Sequence, residues 1–189
     1  MTQTTWIIVA IIVALLVIGG AALWSRRRRS EHLRDRFGPE YDRAVEAKGD
    51  RGKAEAELAK REKRVEKLNI RPLEPAERRE FASRWEEVQA RFVDDPPRAV
   101  AYADALLGDV MKARGYPVND FEQRAGDISV DHPVVVEHYR KAHEIAVRHE
   151  KGDASTEDLR QAMIHYRALF DNLVGAEAPA SREPEPAHH

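Results

Sequence analysis

Three patterns of apolar and polar positions follow one another along the chain. The first is an unbroken apolar run, WIIVAIIVALLVIGGAALW, from Trp6 to Trp24, without a charge or a proline. As a helix it is roughly 28 Å long, close to the thickness of a bilayer's hydrocarbon core. Trp6 and Trp24 stand at its two ends, where amphipathic rings favour the headgroup level. The run predicts a single transmembrane helix. Ala10 and Ala14 have the spacing that allows close helix approach, but such alanines are common in simple anchors. No side chain in the run ionises, so it offers no proton relay or ion site.

In the second pattern, over residues 25–69, charge is dense and apolar positions are sparse. Gly38-Pro39 interrupts a first stretch, and helix formers return from Glu40 to Leu68. Tyr41 and Val45 lie four apart. Leu58 and Val65 lie seven apart, with Leu68 three further on. This thin seam suggests a short coiled coil, weakened at Gly49 and Gly52. Glu57 and Arg61 have the i,i+4 spacing of a solvated helix. The segment reads as a basic collar leading into a charged helical stalk.

The third pattern, over residues 70–175, has helical periodicity throughout. Phe81, Trp85, Val88 and Phe92 form one face. Val100, Ala103, Leu107, Val110 and Met111 form the next. A short helix is expected from a cap at Asp120 to about Ala125. Asp131 is read as the cap of a helix led by Pro133, with Val135, Tyr139, Ala142 and Ala146 facing inward. The last helix presents Leu159, Met163, Tyr166, Phe170 and Leu173, and Gly175 ends it. No strand pattern is found. Short connections predict a small antiparallel helical bundle with Trp85 at the centre of its core. Residues 176–189, with Pro179, Pro184 and Pro186, are expected to be a disordered tail. The fold class is therefore all-α: one transmembrane helix, a stalk and a bundle.

Charge changes the picture by giving the anchor a direction. Residues 1–5 carry no charged side chain, whereas Arg26, Arg27, Arg28 and Arg29 follow the run at once. Basic residues beside a span are retained in the cytoplasm. The reading is a single-pass protein of the bacterial inner membrane, with residues 1–5 outside and the domain in the cytoplasm. A cleaved signal peptide would have its basic residues before the apolar run. Gly19-Gly20-Ala21-Ala22 could imitate a cleavage site, but bulky residues and four arginines follow it. Apart from the collar, 27 basic side chains face 33 acidic ones. A mildly acidic body disfavours nucleic acid, and anionic lipid is the simpler partner for the collar. The chain has no cysteine, which excludes disulfides and thiolate chemistry. Arginine greatly outnumbers lysine, as in GC-rich bacterial coding.

Candidate chemistry is sparse. His132, His138, His143 and His149 are spaced by six, five and six positions, so no two share the i,i+4 face of a helical metal pair. A site would need a ligand from elsewhere, such as His165. There is no Walker A loop, Gly-x-Gly-x-x-Gly, Gly-x-Ser-x-Gly or EF-hand order. No catalytic residue, cofactor or metal ion is assigned. The segment 114–133 concentrates polar and aromatic residues, and Tyr116, Asn119, Asp120, Phe121, Asp131, His132 and His138 form a candidate binding surface. Pro117, Phe121 and Ile128 could equally plug the end of the bundle while the acids cap helices.

Three stretches also carry a resemblance: Arg36-Phe37-Gly38-Pro39-Glu40-Tyr41-Asp42, Arg91-Phe92-Val93-Asp94-Asp95-Pro96, and Gly115-Tyr116-Pro117 through His138-Tyr139-Arg140. They make nearly the whole chain similar to a group of uncharacterised bacterial single-pass membrane proteins with a cytoplasmic helical domain. The resemblance implies the anchor-plus-bundle architecture and no activity. The functional expectation is a membrane-anchored helical interaction or scaffold module with a protein partner, compatible with a homo-oligomer. The alternatives are an enzyme or ligand-binding domain with a pocket at 114–133, and a lipid- or nucleic-acid-binding role for the collar alone.

Overall fold

The computed structural model describes residues 3–117 and 119–175, with side-chain surroundings for all of these except 3–12, 15 and 22. Eight helices and no strand are found among the described residues. Two compact units divide the chain, residues 1–59 and residues 60–189.

In the first unit, α1 runs from Gln3 to Phe37. It carries the apolar run straight into the arginine collar, because nothing between Thr5 and Phe37 breaks a helix other than Gly19 and Gly20. Gly38 stops it at φ 47°, and Pro39 opens α2 (Pro39–Lys48) at the position where a missing N–H costs nothing. Gly49 ends α2 in the left-handed conformation, its N–H bonded to Val45 O. The Asp50 carboxylate then accepts the Lys53 N–H at 2.7 Å at the start of α3 (Arg51–Val65). The expected stalk is thus three helical pieces divided at Gly38 and Gly49. Their side chains converge on Glu55, which accepts from Ser30 Oγ at 2.5 Å, Tyr41 OH at 2.7 Å and Arg51 Nε at 2.9 Å.

The transmembrane expectation falls partly on side chains outside those described, Trp6 among them. Among the described residues, no helix is long and apolar enough to cross a membrane. The expected tail at 176–189 also lies outside the described residues.

The second unit is a helical bundle. Its helices are α4 (Pro75–Arg91), α5 (Pro96–Ala113), α6 (Phe121–Asp131), α7 (Val136–Glu150) and α8 (Thr156–Gly175). α5 packs on α4, α7 and α8, and α7 lies along α8. Local chemistry sets the starts. Asp95 accepts the Arg98 N–H at 3.2 Å and Asp120 accepts the Gln123 N–H at 3.0 Å. Ser155 and Asp158 cap α8 reciprocally, Asp158 N–H to Ser155 Oγ at 3.1 Å and Ser155 N–H to Asp158 Oδ2 at 2.8 Å. At α4, Glu77 accepts the Glu74 N–H at 2.8 Å while Arg71 grips it with two bonds. That grip holds the Glu77 carboxyl down at about 2.

The expected faces of α4, α5 and α8 are buried as read, with Phe92 only half-buried. Trp85 stacks on Phe170 with ring centroids 4.7 Å apart, which ties α4 to α8. Two details differ from the sequence reading. α6 does not stop near Ala125 but continues to Asp131, burying every residue from Ala125 to Val130. Asp131 is consequently the last residue of α6. α7 starts at Val136 without a side-chain cap.

Candidate functional site

The 114–133 segment is mostly helix, and several of its polar residues have structural partners. Arg114 is fully buried. Its Nη1 donates to Leu173 O at 3.0 Å and its Nε to Arg71 O at 3.3 Å, and its own carbonyl accepts the Arg71 N–H at 2.9 Å. One guanidinium therefore joins the end of α5 to the end of α8 and to the chain entering α4. Burial lowers its pKa, yet arginine stays charged. Tyr116 is buried beside it, and its hydroxyl donates to Asp131 Oδ2 at 3.1 Å. Burial raises the Tyr116 phenol, and the Asp131 charge adds to this. Asp127, buried within α6, is held by Arg64, with Nη2 at 2.5 Å and Nε at 2.7 Å.

The candidate binding surface does not form one patch. Asn119 and Asp120 are exposed, and Asp120 is occupied as a cap. Phe121 stacks on His143 at 3.6 Å between centroids and tilts against Tyr139 at 4.8 Å. His138 is half-buried and faces His165 on α8, with their Nδ1 atoms 2.9 Å apart. Tyr116, Asp131 and His132 do meet, at the end of the bundle beside Arg114.

His132 is the most perturbed histidine. Burial, then the Arg114 charge, holds it down at about 4, against 6.5 for a free imidazole. Over that interval the unfolded chain binds a proton that the folded chain does not. Stability is therefore complete above about pH 6.5 and falls as the pH drops toward 4. Burial lowers His143 and His165 as well, so they act in the same direction. The thermal midpoint is expected to fall between pH 7 and pH 5, and His132→Asn to flatten that slope. An unchanged slope in the variant would remove His132 as a cause.

A second cluster was not anticipated. On α5, Asp104 interrupts the apolar stripe of Val100, Leu107 and Met111, four residues after the first and three before the second. It sits beside a cavity of about 250 Å³ formed by α5, α7 and α8, whose lining includes Asp104, His143, His149, Glu150 and Tyr166. Arg124 approaches from α6 and pairs with Asp104 Oδ2 at 3.4 Å. The buried Tyr139 and Tyr166 hydroxyls bear on the Asp104 carboxylate, and His149 Nδ1 is a buried atom that reaches no hydrogen-bond partner. Burial, followed by the Asp104 charge, pushes both phenols far above the ordinary range, so both remain protonated. The available signal was one acid on an apolar face, but its partners come from three other helices. Among the described residues, no group of three or more metal-binding side chains could hold an ion.

No protein-family model matches the chain, and comparison with curated proteins and with solved structures found no match.

Proposed function

We propose that the protein is a membrane-anchored helical interaction module. α1 inserts in the bacterial inner membrane with residues 1–5 outside, and the bundle presents a binding surface to a protein partner in the cytoplasm. The observation that carries this reading is the exposed apolar surface of α1. Leu16 is 70 % exposed, Ile18 65 % and Leu23 65 %, with Val13 and Val17 similar. A helix bare of protein contacts on this much apolar surface has lipid as its natural cover. The Arg28 guanidinium lies 4.0 Å over the Trp24 ring, a cation–π pair suited to the headgroup level. Arg26, Arg27 and Arg29 are exposed beside it and suit anionic lipid.

Topology tests the reading. The chain has no cysteine, and Val93 is 83 % exposed on the bundle. Val93→Cys is expected to resist a membrane-impermeant maleimide in intact cells and to label after permeabilisation. Ready labelling of intact cells overturns the orientation, and recovery in the soluble fraction overturns the anchor. Neutral residues at Arg26, Arg27, Arg28 and Arg29 together are expected to give mixed topology.

The second reading, a ligand-binding domain, is favoured by the α5–α7–α8 cavity. The cavity is bordered by the Asp104 and Glu150 carboxylates and by the buried His149 Nδ1, which reaches no hydrogen-bond partner.

A further inference from the structure

We propose that the α5–α7–α8 cavity is a binding site for an organic cation, an alkylammonium or guanidinium group carried on an aliphatic chain. The inference deepens the reading of the bundle as a binding module and is independent of the anchor. Tyr166 is fully buried and lines the cavity, and its hydroxyl bears on Asp104, which leaves the phenol oxygen as an acceptor. His149 Nδ1, on another wall, is buried without a partner. Polar atoms left so are costly unless a ligand or water completes them.

The charges select the ligand. Asp104 and Glu150 border the cavity, and both act on His143. Burial keeps His143 below its ordinary pKa, so at neutral pH it does not cancel them. Arg124 engages Asp104 through Oδ2, 3.4 Å away, and the protonated Tyr139 and Tyr166 phenols bear on the same carboxylate. An anion would meet two carboxylates. With Arg124 paired to Asp104, the charge a neutral ligand would leave uncompensated is that of Glu150. An ammonium brings three donors and no acceptor, which suits a carboxylate oxygen, a phenol oxygen and an imidazole nitrogen. Val100, Ala101, Ala146, Val147 and Leu159 supply the apolar wall for the attached chain. The cation could come from a free amine or from a lysine or arginine side chain of a partner.

The test uses the full chain in detergent micelles, with n-butylamine, n-butanol and butyrate as probes in titration calorimetry. Saturable binding of butylamine is expected, with the alcohol and the acid weaker by about tenfold or more, the equivalent of one charged hydrogen bond. Asp104→Asn and, at the exposed rim, Glu150→Gln are each expected to weaken the amine. Glu150→Gln has no buried contact to lose, so it decides the matter if Asp104→Asn fails to fold. Equal affinity for butanol overturns the proposal, as does unchanged amine affinity in Glu150→Gln together with a folded Asp104→Asn. Displacement of the amine by a divalent cation that binds more tightly overturns it too. Cadaverine and a blocked lysine peptide then separate the two sources, and tighter binding of either one supports the site. Failure here leaves the topology result standing, and failure of the topology leaves this titration unchanged.

Discussion

Trp85→Ala is expected to destabilise the bundle by about 3–5 kcal/mol, the range for removing a large buried aromatic. The ring is 2 % exposed and stacks on Phe170 at 4.7 Å, with an angle of 21° between planes. Its removal leaves a void facing α8 that the surrounding helices can only partly close. Trp85→Phe is expected to lose less than half as much. It keeps an aromatic face toward Phe170, and it removes an indole N–H that is buried without a partner. Chemical denaturation followed by helical circular dichroism measures both. A loss under about 1 kcal/mol for the alanine variant would mean that the stack contributes little to the fold.

Gly115→Ala has the second large effect. Gly115 follows α5 at φ 95°, a conformation that side chains rarely adopt. A Cβ there would stand 2.3 Å from Asn69 O and 3.2 Å from Asn69 C. Both are backbone atoms, so no rotamer change relieves the clash. The strand of chain it would displace carries the Arg71–Arg114 backbone bond and the buried Arg114 guanidinium. We expect a loss of about 3 kcal/mol or more, combining backbone strain with the clash. Gly152→Ala provides the comparison. It has φ 81° but open space around its Cβ position, so only the conformational cost of about 1–2 kcal/mol applies. Equal losses at the two glycines would show that the approach to Asn69 is readily relaxed.

The bundle was legible where one face of one helix decides burial. The stripes on α4, α5 and α8 repeat at helical period, and their members are buried accordingly. The cap at Asp120 was legible because the bond is local. Asp131 misled because α6 runs on through it, where Tyr116, fifteen residues earlier, donates to its carboxylate. Arg114 reads as an ordinary basic residue at a helix end, and nothing local reveals that its acceptor is Leu173 O. The cavity was invisible for the same reason, since Asp104, His149 and Tyr166 are brought together only when three helices pack. Tyr41 and Leu58 are buried as the seam implied, but Gly49 places them on separate helices.

The stack between Trp85 and Phe170 also sets a clock on biosynthesis. It joins the first helix of the bundle to the last, and Arg114 likewise waits for Leu173. No partial product ending before α8 can close this core. At about 5–20 residues per second, roughly 4–17 s separate the synthesis of Trp85 from that of Phe170. Throughout that interval the apolar faces of α4 and α5 lack the cover that α8 supplies. The nascent chain is therefore most exposed to aggregation and to proteases just before its final helix is made.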